Sequence, residues 1–472
     1  MPHSPKVIVV PYHADSRVYF LALQDLPYPV WLDSCQPASG RGRYDIIAAE
    51  PTTLLTTRAG ESLIQDLTGR EPDRRSHQDP FTLINELMPP VCQSAQLDAE
   101  RLPFCGGAIG FFGYDLARQL ERLPSLAKAD LSLPDLHIGL YPWALVIDHE
   151  TQTSAIVALP GADTRLAESR LNAETHLKSF LEKDAEPFKI NRFDSNINID
   201  SYIEKFDTIQ EHILEGDCYQ VNFAQRFSAS FSGDPLAAYL SLRLASPAPF
   251  AGFIPLENGA IASVSPERFI ACDDGLASTS PIKGTAPRDP DPTQDKRNAR
   301  ALENSEKDRA ENLMIVDLLR NDLSRCCEQV NVPTLFELQS FANVHHLVST
   351  IEGRLKPGET PLSLLRAAFP GGSITGAPKI KAMEIIESLE SHKRGPYCGS
   401  LGYISACGRM DTSIAIRTLV FDNGRVHCWG GGGIVADSTA EAEYQESLTK
   451  VTLLMRTLEA AFGSDEATAD QQ

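Results

Sequence analysis

A chain of 472 residues, 42% of them apolar, can bury a sizeable core and is long enough for about two to four domains, or for two layered units sharing one core. Its formal charge of -20 argues against the basic face by which nucleic-acid and anionic-membrane binders are recognised, though not against a local basic pocket for a small anion. Ten scattered cysteines with no C-x-x-C pair fit neither a zinc site nor a disulfide scaffold. With no apolar leader after Met1 and no apolar run of membrane-spanning length, the expectation is a soluble, cytoplasmic protein with reduced thiols.

Along the chain, Val7-Ile8-Val9-Val10 and Tyr19-Phe20-Leu21-Ala22-Leu23 read as short strands, and another is predicted over 44–49 after the Gly- and Arg-containing break at 39–43. The stretch 106–115 is dense in small residues that allow backbones to approach closely. Residues 140–148 and 153–159 predict a strand pair around the turn His149-Glu150-Thr151. A helix over 161–182 completes a β-rich N-terminal region, 1–182, and the polar stretch 183–198 reads as a linker.

Ile203, Phe206, Ile209 and Ile213 fall at helical spacing, with Gly216 as the stop, and open a second region spanning 199–462. Strands follow at 219–227, 252–255, 260–263 and 269–272. They lead to Pro281-Ile282-Lys283-Gly284-Thr285-Ala286-Pro287-Arg288, read as a short, stiff turn because Pro281 fixes one torsion and Gly284 admits conformations closed to other residues. A nucleophilic lysine needs such aim, together with surroundings that lower its pKa; an exposed loop charge fits these eight residues equally well. Residues 289–298 form a polar segment expected to be mobile, 305–324 a long helix, and 335–354 extended structure, in which His345 and His346 point to opposite faces. A glycine-rich approach, 369–379, enters a helix reaching about 389, with Pro378 early in it. Strands at 399–404 and 413–421, four glycines at 430–433 and a helix at 440–462 complete the region, before a small, acidic tail, 463–472, expected to be disordered.

Polar residues on two of these helices stand out. Glu443, Glu446 and Lys450 line a row beside the apolar stripe of the last helix, and Asp308 and Glu311, three apart, share one side of the 305–324 helix. Carboxylates without histidine or cysteine at ligand spacing suit a hard ion such as Mg²⁺; solvation or pairing with lysines is the alternative. The glycines at 371–372 and 430–433 offer N–H groups to an anion, yet neither run fits a nucleotide-binding fingerprint, and a tight turn is the commoner reading of a lone glycine run. Arg417 interrupts an apolar strand, where a charge must be paired or must hold an anionic ligand.

Seven stretches taken in order then resemble the chorismate-utilising enzymes: Ser265-Pro266-Glu267-Arg268-Phe269, Pro281 to Thr285, Glu311-Asn312-Leu313-Met314-Ile315-Val316-Asp317, His346-Leu347-Val348-Ser349, the 369–379 approach, Ile414 to Thr418, and Gly431 to Ser438. The likeness runs from about Ser201 to Leu458 and is weaker before that. It implies an α/β (α+β) fold of stacked β-sheets flanked by helices, with two subdomains and a central cleft. Lys283 in Pro-Ile-Lys-Gly-Thr is similar to the branch that aminates chorismate at C4, whereas the anthranilate-forming branch typically carries alanine there. Gln220 stands where isochorismate- and salicylate-forming members usually have a lysine base.

Carried over residue by residue, the resemblance implies Mg²⁺ on Glu311 and Glu446 with Asp308 and Glu443 close by, and chorismate contacts from Ser373, Tyr397, Arg417, Gly431, Gly433 and Lys450. Thr285 and His346 match positions beside the substrate ring. Glu267 is the expected acid for the C4 hydroxyl and Lys283 the expected nucleophile, giving 4-amino-4-deoxychorismate on the route to 4-aminobenzoate and folate. Anthranilate synthesis, or a noncatalytic tryptophan-binding subunit, are the alternatives. Because the chain has no Gly-x-Cys-x-Gly nucleophile motif, ammonia is expected from a separate glutamine amidotransferase subunit. Trp31-Leu32-Asp33-Ser34 lies where family members can carry a tryptophan pocket, making Ser34 a candidate contact, with Asp33 in place of the usual glutamate.

Overall fold

Strands such as Gly107–Phe112 and Trp143–Asp148 are buried at every position, which requires cover on both faces. The computed structural model, which describes residues 4–40, 42–90, 102–172, 187–340 and 344–463, supplies that cover by stacking two large antiparallel sheets and flanking them with helices. The main path of the first sheet runs Lys6–Val10, Thr153–Ala158, Trp143–Asp148, Tyr44–Ala48, Val30–Asp33, Phe250–Leu256, Gly259–Ser265, Thr418–Asp422, Arg425–Ile434, Gln220–Ser232, Lys189–Ile190. That of the second runs Ile282–Pro287, Val344–Leu355, Leu276–Thr279, Arg268–Asp273, Met410–Ile414, Ser400–Ser405, Gly107–Phe112, Leu136–Tyr141, Thr53–Arg58, Glu61–Asp66, Arg74–Ser76. Ile46, Ile254 and Ile261 of the first sheet meet Ile109, Phe111 and Leu401 of the second in the layer between them. The outer face of the first sheet packs on the helices Arg17–Leu23, Pro235–Ala245 and Ala440–Phe462. That of the second packs on Pro80–Leu87, Glu306–Cys326 and Pro361–Ala368.

Residues 1–182 and 199–462 contribute to the same sheets. Val30–Asp33 pairs with Phe250–Leu256, and Gly107–Phe112 with Ser400–Ser405. Between the two regions, the described residues 187–198 add the short strands Lys189–Ile190 and Asp194–Ser195 to Gln220–Ser232, with Phe188, Ile190 and Phe193 buried. Of the helix expected over 161–182, Arg165–Leu171 is observed; residues 173–182, like the tail from 464, lie outside the described residues. No helix among the described residues is long and apolar enough to cross a membrane.

Four expectations change. Residues 19–23 belong to a helix, Arg17–Leu23, whose Val18, Tyr19, Phe20, Ala22 and Leu23 cover the first sheet; a short apolar run has no period that separates strand from helix. The stretch after 289 is ordered as the helix Pro292–Glu303, started by Pro292 and by Asp291, whose side chain accepts from the Thr293 N–H. The 430–433 glycines are no turn: they lie inside the strand Arg425–Ile434, paired with Gln220–Ser232. The strand expected over 413–421 is two, Met410–Ile414 in the second sheet and Thr418–Asp422 in the first, with Arg417 at φ 52° where the chain changes sheets.

Candidate active site

The chain changes sheets a second time close by. Gly259–Ser265 lies in the first sheet and Arg268–Asp273 in the second, so Pro266 and Glu267 form the crossing. The two crossings run side by side: Ile414 N–H donates to the Glu267 carbonyl at 3.0 Å, and Val264 N–H to the Arg417 carbonyl at 3.0 Å. Glu267 and Arg417, far apart in sequence, are thereby set in one place by backbone bonds.

Lys283 reaches this place from a strand rather than a turn. Ile282–Pro287 pairs with Val344–Leu355, and the register shifts between Ile282 and Thr285. Gly284 at φ 81° forms that irregularity; a Cβ there would lie 2.8 Å from Leu302 Cδ1 and 3.0 Å from Asp308 Cβ, so only glycine lets the strand press against the start of the Glu306–Cys326 helix. The Lys283 ammonium donates to Glu311 Oε1 at 2.7 Å, and Gln220 Nε2 donates to the same oxygen at 3.3 Å. Burial pushes the Lys283 pKa down, but Glu311, Glu267 and Glu446 outweigh it, and the value ends above the ordinary one. The expected lowering of the lysine is therefore not met in this state; the amine rests protonated among three carboxylates.

Glu267 is 6% exposed. Burial raises its pKa against the Ser373 hydrogen bond, Lys283 and Lys450, so it holds its proton to higher pH than an ordinary carboxyl group. Ser373 Oγ donates to its Oε1 at 2.8 Å. Ser265 Oγ accepts from the Glu267 N–H at 3.2 Å and donates to the Ile414 carbonyl at 2.6 Å, fixing the crossing.

The C-terminal helix closes the other side. Lys450 Nζ donates to the Gly431 carbonyl at 2.8 Å and to Glu446 Oε1 at 2.7 Å. Burial pushes Glu446 up, yet Lys450, Lys283 and Lys307 outweigh it and keep its pKa below the usual one. Glu443 is raised, first by burial and then by Glu446, against the Ser438 hydrogen bond at 2.7 Å. Missing Cβ atoms make room for these acids. One on Gly432 would sit 2.8 Å from Glu443 Oε2 and 3.3 Å from Glu446 Oε1, and one on Gly433 would sit 2.0 Å from Gln220 Nε2 and 3.1 Å from Glu311 Oε1. The glycine run thus serves as a thin strand between two carboxylate-bearing helices.

Tyr397 is buried and stacks on Trp429, ring centroids 5.5 Å apart and planes 6° apart. Arg417 makes no side-chain hydrogen bond or ion pair among the described residues, and burial, against the influence of Tyr397, lowers its pKa. A buried arginine so placed is suited to an anionic ligand. Thr285 Oγ1 and His346 Nδ1 lie 2.9 Å apart on adjacent strands. His345 faces the other way, buried, with Nε2 3.0 Å from Asp295 and Nδ1 2.8 Å from Ser340. Asp308 packs under Gly284.

Ser34 is remote from this cluster in its contacts. Its N–H and Oγ both donate to Asp45 Oδ1, at 2.7 and 2.6 Å. Neighbouring Asp33 is gripped by Arg243, at 2.8 and 3.1 Å, and by the Tyr239 hydroxyl at 2.8 Å. Leu32 and Asp33 line one wall of a cavity of about 640 Å³ that also touches Phe250, Met410 and Arg409.

A hard cation finds only oxygen donors here. The buried Oε2 of Glu443 has no hydrogen-bond partner, while Glu311 and Glu446 are paired to lysines. No three of these acids bring oxygens within 4.8 Å of one another; among the described residues the one such group is His212, Glu215 and Asp217, at the surface near Lys381. Gln220, which the family resemblance sets at a base position, joins the site with Gly432 and Trp429. Gly432 lies inside a motif without being a named contact, and Trp429 carries no signal in the sequence beyond preceding the glycine run.

A family model described as chorismate binding enzyme matches residues 29–456. The chain belongs to this family. Among chorismate-binding enzymes it is 47% identical over 460 residues to aminodeoxychorismate synthase component 1 of Escherichia coli (strain K12), an alignment covering 97% of this chain and 99% of that protein. It is 41% identical to anthranilate synthase component 1 of Thermus thermophilus, over 76% of this chain and 79% of the relative. The crystal structure of anthranilate synthase component I from Streptococcus pneumoniae superposes with TM-score 0.74 at 33% identity, covering 88% of this chain and 92% of that one. The menaquinone-specific isochorismate synthase of Escherichia coli shares the fold alone, at TM-score 0.69 and 17% identity over 97% of this chain and 96% of that one.

Proposed function

We propose that this chorismate-binding enzyme aminates chorismate at C4, giving 4-amino-4-deoxychorismate, as component 1 of a two-component synthase. The observation that carries the reading is the Lys283 amine, held by Glu311 beside a raised-pKa Glu267 on the sheet crossing. Relatives matching nearly the whole chain at 45–47% identity bear the aminodeoxychorismate synthase component 1 name.

Chorismate is a dianion, and Arg417, without a counter-charge of its own, is the natural partner for one carboxylate; Lys450 and the Gly431–Gly433 strand border the same space. Mg²⁺ on Glu311 and Glu446, with Glu443 beside them, would offset the charge of the substrate's ring carboxylate. Glu267 gives a proton to the C4 hydroxyl, a poor leaving group. Lys283, once its own proton is released, bonds to C2 while both ring double bonds shift, C1=C2 to C1=C6 and C5=C6 to C4=C5, the C4–O bond breaks, and water leaves. Ammonia then bonds to C4, both double bonds shift back and the C2–N bond breaks. This returns Lys283, with Glu267 taking up a proton from the incoming nitrogen. Ser373 orients Glu267 through its hydrogen bond; Thr285 and His346 border the ring. Ammonia comes from a glutaminase partner, since the chain has no nucleophile motif for glutamine hydrolysis.

Turnover of chorismate by the purified chain with Mg²⁺ and ammonium, read by product mass, tests this. The expected product retains the enolpyruvyl group, glutamine alone supports no turnover, and chelation of Mg²⁺ abolishes the reaction. Loss of pyruvate would assign the chain to anthranilate synthesis. Mixing with chorismate and Mg²⁺ without ammonia, followed by acid quench, should yield a mass adduct on the peptide holding Lys283; Lys283→Ala should lack both adduct and turnover.

A further inference from the structure

A pair of cysteines at the other end of the second sheet belongs to none of this chemistry. Gly107–Phe112 and Ser400–Ser405 are paired as far as Gly107 and Ser405, and beyond that the Ala406 N–H still donates to the Gly106 carbonyl at 2.8 Å. The two chains therefore remain side by side where Cys105 comes opposite Cys407, a cross-strand placement whose backbone spacing suits a disulfide. One buried hydroxyl joins the two thiols: Ser405 Oγ lies 3.1 Å from Cys407 Sγ and 3.6 Å from Cys105 Sγ, and also accepts from the Cys105 N–H at 3.2 Å. The two sulfurs differ in access, Cys105 being fully buried and Cys407 partly exposed.

Their surroundings differ from those of the other cysteines. A hydrogen bond from Cys105, helped by Ser405 and Arg409 against burial, brings the Cys407 thiol down to about 6. Burial raises the described cysteines outside this pair, Cys35, Cys218, Cys272, Cys326, Cys327, Cys398 and Cys428, above the ordinary thiol.

We propose that Cys407 and Cys105 form a peroxide-oxidisable dithiol, a modification site in which Cys407 is the attacking and Cys105 the resolving sulfur. The Cys407 thiolate attacks one oxygen of hydrogen peroxide. The S–O bond forms, the O–O bond breaks, and the departing hydroxide takes up a proton, leaving a sulfenic acid and water. The Cys105 sulfur then attacks Cys407; the S–S bond forms, the S–O bond breaks, and the Cys105 proton leaves with the oxygen as a second water. Two thiols lose two electrons and one peroxide gains them. A dithiol reductant reverses the step by exchange. The cross-link joins the segment around Pro103 to the turn before Arg409, two walls of the 640 Å³ cavity that are already tied by an Arg409 hydrogen bond to the Leu102 carbonyl at 2.8 Å.

The full reduced chain is treated with hydrogen peroxide at neutral pH, alkylated under denaturing conditions and digested, and its cysteine peptides are followed by mass. The expected result is a Cys105–Cys407 cross-linked peptide that forms before any other described cysteine is oxidised and disappears with dithiothreitol. Cys105→Ala, which removes both the resolving sulfur and its hydrogen bond, should give no cross-link but a sulfenic acid at Cys407 that a cyclic diketone traps, and the Cys407 alkylation rate should rise at a higher pH than in the parent. Oxidation of Cys407 directly to sulfinic acid in the parent, without the cross-link, overturns the pairing. Unmodified Cys407 after peroxide has oxidised other cysteines overturns the site. The parent measurement stands alone should the variant fold poorly.

Discussion

Glu267 and Lys283 share a proton problem. At rest the lysine carries its proton, whereas the reaction needs a neutral amine beside a protonated acid. That reacting form holds as many protons as an ammonium beside a carboxylate, so it is reached by transfer within the site rather than by titration against solvent. Glu267→Gln removes the acid but keeps the size and the hydrogen bond with Ser373. Turnover with ammonium should fall about 10²- to 10⁴-fold, the range of general acid catalysis, with KM for chorismate changed much less. The same substitution should affect stability in the opposite direction. A carboxyl whose folded pKa lies above its ordinary 4.5 keeps its proton in the folded chain after the unfolded chain has lost it, so its contribution falls as pH rises through that window. The variant should melt above the parent at pH 7, and the difference should vanish as pH approaches 4.5; thermal melts across that range decide. Motifs showed Glu267 and Lys283 as candidates, but not the backbone crossing that brings them to Arg417, because no pattern in residues 266 or 417 marks a change of sheet.

Single elements place these residues by unusual means. The strand Arg425–Ile434 holds four glycines at a point where helix, strand and side-chain amide crowd together, and each missing Cβ has its own neighbour. A Cβ on Gly430 would lie 2.0 Å from the Ser447 carbonyl, backbone of the C-terminal helix. On Gly433 it would meet the Gln220 amide, the far end of a side chain that can turn away, at 2.0 Å. Gly430→Ala should therefore cost stability, about 1–3 kcal/mol as for other overpacked sites, while Gly433→Ala should spare the melting temperature and lose activity by displacing Gln220 and Glu311. Comparing melts with turnover for the two variants checks the distinction. Glycine composition read as a turn here for the reason that Pro-Ile-Lys-Gly-Thr read as one: both strands lack apolar alternation and are held by their partners' ladders. The helices Ile199–Leu214, Glu306–Cys326 and Ala440–Phe462 were legible because each sets a long apolar stripe against a sheet. Arg17–Leu23, apolar on nearly every residue, offered no such contrast.

At the scale of the molecule, the two regions separable in sequence share both sheets. The Ala251–Asp33 and Leu401–Phe111 register pairs stitch them together, and Asp33 is buried against Arg243 of the Pro235–Ala245 helix. Removing either region would expose a long edge in each sheet and strip the inner layer of the residues that region supplies, such as Ile46 and Phe111 from one or Ile261 and Leu401 from the other. Truncating Asp33 would leave the Arg243 guanidinium buried and short of partners, a loss of about 3–5 kcal/mol by analogy with other broken buried pairs. Because that pair spans the regions, the loss should fall on the whole chain and not on the N-terminal part alone. Three tryptophans report on the question: Trp31 and Trp143 in the N-terminal region and Trp429 beside the active site, all buried. In urea, fluorescence of a Trp429→Phe variant follows the first two, and that of a Trp31→Phe/Trp143→Phe variant follows the third. The shared sheets predict one midpoint for both signals in either variant once each is compared with its own circular dichroism, and Asp33→Ala should shift both to lower urea by the same amount. Separate transitions, or an Asp33→Ala shift confined to the Trp31 and Trp143 signal, would mean that the regions unfold independently despite the strands they share.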